Sequence, residues 1–118
     1  MAGGLRFRPE TTLISSGGTP YVAGTTILVP TNQLTGIQRV GVYKAIIQAI
    51  SAQATIQFQD TSNNSLSSVF TLAILGFLTI DVPINGDPWW QTTVAGRGLQ
   101  LVTTGGTVAA DVWVAFGA

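Results

Sequence analysis

The side chains that carry most protein chemistry are scarce in this sequence. It holds no histidine and no cysteine. A Ser-His or Cys-His nucleophile and base therefore cannot be assembled, and disulfides and thiolate metal sites are excluded. A Ser-Lys pair would have to use Lys44, the sole lysine, which lacks a Ser-x-x-Lys context. Five carboxylates remain: Glu10, Asp60, Asp81, Asp87 and Asp111. Two carboxylates flanking a bond are the machinery of glycoside hydrolysis. Asp81 and Asp111, however, fall on the outward phase of their segments, which predicts solvation or pairing with Arg39 or Arg97. A calcium loop needs clustered carboxylates; Asp60-Thr61-Ser62-Asn63-Asn64 has one, and reads as a turn. Gly96-Arg97-Gly98 lacks the third glycine and the following helix of a dinucleotide fingerprint, and reads as a turn with Arg97 exposed. These residues predict a protein that is not an enzyme and has no cofactor or metal.

Pro88-Trp89-Trp90 is the most informative local feature. Adjacent residues of an extended segment point to opposite sides. One ring can enter a core; the other must meet a loop, a sheet edge, a ligand or a partner. Three readings stay open. Trp90 plugs the end of the domain and Trp89 lies over a loop; or the pair forms a subunit interface, where tryptophan is enriched among energetic hot spots; or it is a sugar-stacking platform. A second interaction candidate is residues 1–12, which read as an extended arm. Gly3-Gly4 is loose, and Pro9 biases Arg8 toward extended backbone. Leu5 and Phe7 alternate with Arg6 and Arg8, giving one apolar and one cationic edge suited to tethering a neighbouring subunit.

The elements that must position these residues are strands. Thr11–Ser15 and Thr25–Val29 are short runs closed by Ser16-Gly17-Gly18 and Pro30. Ile37–Ile50 is ambiguous, since Lys44–Ile50 has helical propensity. Val40, Val42, Ile46 and Ile50 keep period two and no N-cap precedes them, so the segment is read as a strand. Ala54–Asp60 alternates with Ile56 and Phe58 inward and Gln57 and Gln59 outward. Val69–Leu75 and Gly76–Val82 follow a polar loop built on Asn63-Asn64, the latter with Leu78, Ile80 and Val82 on one face. Asn85-Gly86 is a turn signal. Leu99–Thr103 and Thr107–Phe116 end the chain, with Val108, Ala110, Val112, Val114 and Phe116 in phase. About eight strands with glycine-rich turns and no convincing helix predict a single all-β sandwich over residues 13–118, of jelly-roll or Greek-key type.

Length and composition agree. A chain of 118 residues makes one domain and can bury a core without staples. Charged residues are 8% and hydrophobic ones 46%, against roughly 25% charged in ordinary soluble domains. Such a surface is either solvated by Thr, Ser, Gln and Asn or covered in an assembly, as a homo-oligomer (dimer or trimer). The basic residues are spread from Arg6 to Arg97 and form no stripe for nucleic acid. No apolar h-region opens the sequence, and Thr71–Val82 is too short to span a membrane, so a product made in the cytoplasm with no membrane partner is expected.

The run Pro88-Trp89-Trp90-Gln91-Thr92-Thr93-Val94-Ala95-Gly96-Arg97-Gly98-Leu99-Gln100-Leu101 resembles a segment of small virion proteins of tailed double-stranded-DNA phages. In those, a Pro-Trp-aromatic stretch with a following Gly-x-x-Leu-x-Leu precedes a final Val-rich strand. The resemblance extends loosely from Arg39 to Phe116; Asn63-Asn64 and Leu66 stand where such proteins often carry Ser or Gly, and the arm lies outside it. It implies a β-sandwich virion subunit of capsid decoration (cement) or head-fibre type. Such a subunit acts by adhesion to the major capsid protein or another virion protein, without catalytic residues. The alternatives are a glycan- or receptor-binding sandwich of a tail or fibre, and a small self-assembling coat protein.

Overall fold

A computed structural model describes residues 10–117. Nine strands appear among them: β1 (Thr12–Ser15), β2 (Gly24–Val29), β3 (Arg39–Ala49), β4 (Ala54–Asp60), β5 (Phe70–Leu72), β6 (Phe77–Ile80), β7 (Trp90–Gln91), β8 (Leu99–Thr104) and β9 (Val108–Gly117). The remaining regular element is a 3-10 turn at Thr31–Gln33. No helix among the described residues is long and apolar enough to cross a membrane.

The strands form two antiparallel sheets. One is ordered β1-β9-β3-β6, with β7 also on β3; the other is ordered β2-β8-β4-β5. Taken inward from the two ends, β1 pairs with β9, β2 with β8, β3 with β6 and β4 with β5. Successive pairs alternate between the sheets, so a single antiparallel ribbon is wound around the core. The two sheets make the sandwich that the strand pattern predicts, and the winding is of jelly-roll type.

The core lies between the sheets. Its largest fully buried side chains include Phe58, Ile47, Ile56, Leu99 and Leu101, joined by valines of β2, β3 and β9. Ile56 and Phe58 face in and their glutamine neighbours face out, as their alternation requires.

On β3 the apolar phase differs from expectation. Val40 and Val42 are buried, but beyond them the buried residues are Ala45, Ile47 and Ala49, while Ile46 and Ile50 are partly exposed. The register explains it: Val42 pairs with Val114, yet Lys44 pairs with Trp113, so Tyr43 is an extra residue. A bulge of one residue inverts which face every later side chain takes. A smaller difference occurs at the end of β9, where Phe116 is 39% exposed and Ala115 is the buried residue.

Candidate functional site

The bulge also shapes the opposite edge of β3. β6 pairs with Ala45–Gln48 and β7 with Gly41–Val42, so both lie along the same edge of that strand. Between them, beside Tyr43, the chain leaves the sheet as the loop Asp81–Trp89 and returns to continue the edge. The backbone N–H of Trp89 donates to the Val42 carbonyl (2.8 Å), and its indole N–H donates to the Asp81 carbonyl, tying the two ends of the loop together. Gly41 is the residue that lets Pro88 approach: a Cβ there would stand 2.9 Å from the proline Cβ. At the tip, Gly86 takes a left-handed φ of 81°, and Asp87 N–H donates to Asn85 Oδ1 (3.1 Å). This closes an Asx turn.

The two tryptophans diverge, as adjacent residues of extended chain must. Trp90 turns between the sheets, stacked on Phe58 at 5.2 Å between centroids and tilted against Phe70 at 5.7 Å. Trp89 turns outward and is 51% exposed, and the indole hydrogen bond to the Asp81 carbonyl fixes its ring. One side of the loop is an open cavity of about 620 Å³ lined by Asp81, Val82, Pro83, Ile84, Asp87 and Trp89, among others. Its rim is apolar and unusually presented, with Ile84 at 96% exposure. Among the described residues, neither the Asp81 nor the Asp87 carboxylate has an ion pair or hydrogen bond. The Tyr43 hydroxyl is pushed up from its ordinary pKa, first by burial and then by the Asp87 charge. Chemically, the site offers a fixed aromatic face, two negatively charged acceptors and an apolar wall. That combination binds cations or hydroxyl-rich ligands against a hydrophobic surface.

Adjoining exposed apolar surface continues on the same sheet. Its outer rows place Leu13, Trp113 and Lys44 side by side, then Ser15, Asp111, Ile46 and Thr79, then Ala109, Gln48 and Phe77. The Lys44 ammonium lies 4.9 Å above the Trp113 ring, a cation–π contact. At the turn before β6, Leu75 has a φ of 63° and is 61% exposed, next to exposed Ile74 and Phe77. A left-handed leucine costs about 1–2 kcal/mol relative to glycine, so an apolar side chain is displayed there against backbone preference. The outer face of the other sheet carries a hydrogen-bonded glutamine ladder, with half-exposed Ile27 beside it. Gln59 donates to Gln57 (2.9 Å), and Gln100 donates to both Gln59 (3.0 Å) and Asn63 (2.9 Å).

Of the residues singled out in the sequence, Leu5, Arg6, Phe7 and Arg8 lie outside the described residues. Trp90 contributes packing from within the sandwich, and Trp89 is the ring left available. Of the alternatives for Asp81 and Asp111, pairing with Arg97 is not realised, because Arg97 pairs with Asp60 at 3.3 Å. Asp81 is exposed, and Asp111 accepts the Ser15 hydroxyl. Asp60 ends the inward phase of β4 and is buried. Burial pushes its carboxyl up, but N–H donors from Asn64 and Ser62 and the Arg97 guanidinium outweigh that, and its pKa is lowered from 3.8. The apolar loop residues Val82, Pro83 and Ile84 are not singled out by the strand pattern. Their one signal is a run of branched and proline residues around Asn85-Gly86, too long for a tight hairpin turn. No group of three or more potential metal ligands occurs among the described residues.

Comparison with known proteins identifies no relative: no family model, no curated protein and no solved structure matches the chain.

Proposed function

We propose that this protein is a structural subunit that works by adhesion, a virion protein of a tailed phage that decorates and cements the capsid. Its partners are further copies of itself and the major capsid protein. The observation that carries this reading is the amount of exposed apolar surface: Trp89 and Ile84 on the edge loop, Leu13, Phe77 and strained Leu75 on and beside the same sheet, and Ile27, Ile37 and Val69 elsewhere. Large contiguous apolar surface marks interaction sites, and the low charge of the chain offers little repulsion between copies. The likeness of Pro88–Leu101 to phage virion segments supports the same reading, as does a jelly roll, an architecture used in viral shells and lectins. Fold alone does not assign function.

The mechanism is thermodynamic. A subunit that binds the assembled lattice better than its separated parts stabilises the shell by mass action, and many weak contacts on one surface add through multivalency. Particles made with and without the gene test this. The expected result is on the order of hundreds of copies per particle, and shells that rupture at lower temperature when the protein is missing. Its absence from purified particles would overturn the proposal.

A second reading, a glycan-binding tip, is favoured by the fixed, half-exposed Trp89 ring beside two carboxylates. It requires a specific glycan-array signal that Trp89→Ala abolishes.

A further inference from the structure

We infer that the Asp81–Trp89 cavity is the receptor for the Leu5–Arg8 segment of a second copy, so that subunits associate by exchanging arms. The inference rests on the self-association proposed above and names the surfaces that perform it. Charge accounting points to the pairing. Of the acidic side chains, Asp60 is matched by Arg97 and Asp111 is engaged by Ser15. Asp81 and Asp87, both lining one cavity, have no such partner among the described residues. Of the basic side chains, Arg97 is taken by Asp60 and Lys44 lies on Trp113. Arg39 and Glu10 also have no ion pair among the described residues. Arg6 and Arg8 supply two cations spaced two residues apart, alternating with the apolar Leu5 and Phe7.

The apolar groups match as well. Leu5 and Phe7 alternate with those arginines, and the cavity sets Val82, Pro83, Ile84 and Trp89 beside its two carboxylates. An extended segment with one cationic and one apolar edge suits a wall that is apolar with an acidic rim. A guanidinium also stacks on an indole face, which Trp89 holds in place.

Reach favours a second copy over the chain's own arm. The chain joins the fold at β1, on one edge of the sheet, and the cavity lies on the other edge. Crossing three inter-strand spacings takes about 14 Å. β1 begins at Thr12, so four fully extended residues carry Arg8 about 14 Å. The chain's own arm reaches its cavity only if that stretch runs straight across the sheet. A neighbouring copy has no such restriction.

The test is charge reversal in the full chain. One variant carries Arg6→Glu and Arg8→Glu; the other carries Asp81→Arg and Asp87→Arg. Sedimentation velocity at micromolar concentration reads association, and thermal melts confirm that both variants fold. Each variant alone should associate at least tenfold more weakly than wild type, and a 1:1 mixture should recover wild-type association through the swapped charges. Unchanged association of both variants would overturn arm exchange while leaving self-association through another surface intact. A mixture that fails to recover would also overturn it, including the case in which the arm docks on its own chain. A wild-type protein that is monomeric would instead remove the proposal on which the inference rests. If the variants misfold, a synthetic peptide of residues 1–9 is titrated in excess against the full chain, where it competes with the arm for the cavity. Quenching or shift of tryptophan fluorescence that Trp89→Phe abolishes is expected, and no response would overturn the inference.

Discussion

Asp60 shows how one side chain organises a corner of this molecule. Its carboxylate accepts N–H groups from Ser62 (2.8 Å) and Asn64 (3.0 Å), together with the Asn64 amide and Arg97. It thereby folds the turn after β4 and pins the segment leading into β8. Replacing Asp60 by Asn keeps the size but puts a donor where donors already point, which should cost about 1–3 kcal/mol. The pH dependence follows from the lowered pKa. A carboxyl depressed in the folded state contributes fully above its unfolded pKa, about 3.9, and loses that contribution as pH falls through the folded value. Urea midpoints of wild type should therefore drop below about pH 4, and Asp60→Asn should flatten that acid limb. Identical acid limbs would contradict this role. The turn at Asp60 is legible in the sequence, but its burial is not read there, although it follows Ile56 and Phe58 in period two, because a carboxylate is expected to face water. Its partner is not legible either, because Arg97 lies 37 residues away and only the pairing of β4 with β8 brings them together.

At the scale of elements, strands with uninterrupted alternation are legible and the one with a bulge is not. β4 and β8 keep their phase, as does β9 as far as Val114, so their inward residues follow from the sequence. β3 changes phase at Tyr43, and nothing in Tyr43-Lys44 announces an extra residue. The same bulge lies beside the point where the edge strand opens into the Asp81–Trp89 loop, so the site depends on an event invisible to periodicity. Trp89 and Trp90 are legible as a divergent pair; which ring faces out is not, because it depends on the pairing of Trp90 with Val42. Gly98 illustrates a backbone crossing. It donates to the Thr31 and Thr61 hydroxyls (3.1 and 3.2 Å), and a Cβ there would stand 2.0 Å from the Val29 carbonyl oxygen. Gly98→Ala must push β2 and β8 apart and should cost about 3 kcal/mol. A lowered urea midpoint checks this, and an unchanged midpoint would show that the crossing yields more easily than its geometry implies.

At the scale of the whole molecule, one sheet carries a glutamine ladder with half-exposed Ile27 beside it, and the other sheet and its edge loop display Leu13, Phe77, Ile84 and Trp89 beside a strained Leu75. Burying Leu5 and Phe7 of an arm on that side would contribute on the order of 3–5 kcal/mol, much of it offset by the entropy of ordering the arm. A single contact is then modest, and a ring or lattice of them is not. The all-β fold and the shortage of charge are both legible in the residues themselves. The grouping of Leu13 and Phe77 on one sheet face is not, because it arises only when β1, β9, β3 and β6 are laid next to one another. The proposed function has this exposed apolar surface covered by further copies of the chain. Sedimentation velocity of the intact wild-type protein at micromolar concentration, in buffer free of any capsid, tests this most directly. A discrete oligomer, a dimer or trimer, is the predicted result; a monomer that stays monomeric as concentration rises would contradict it.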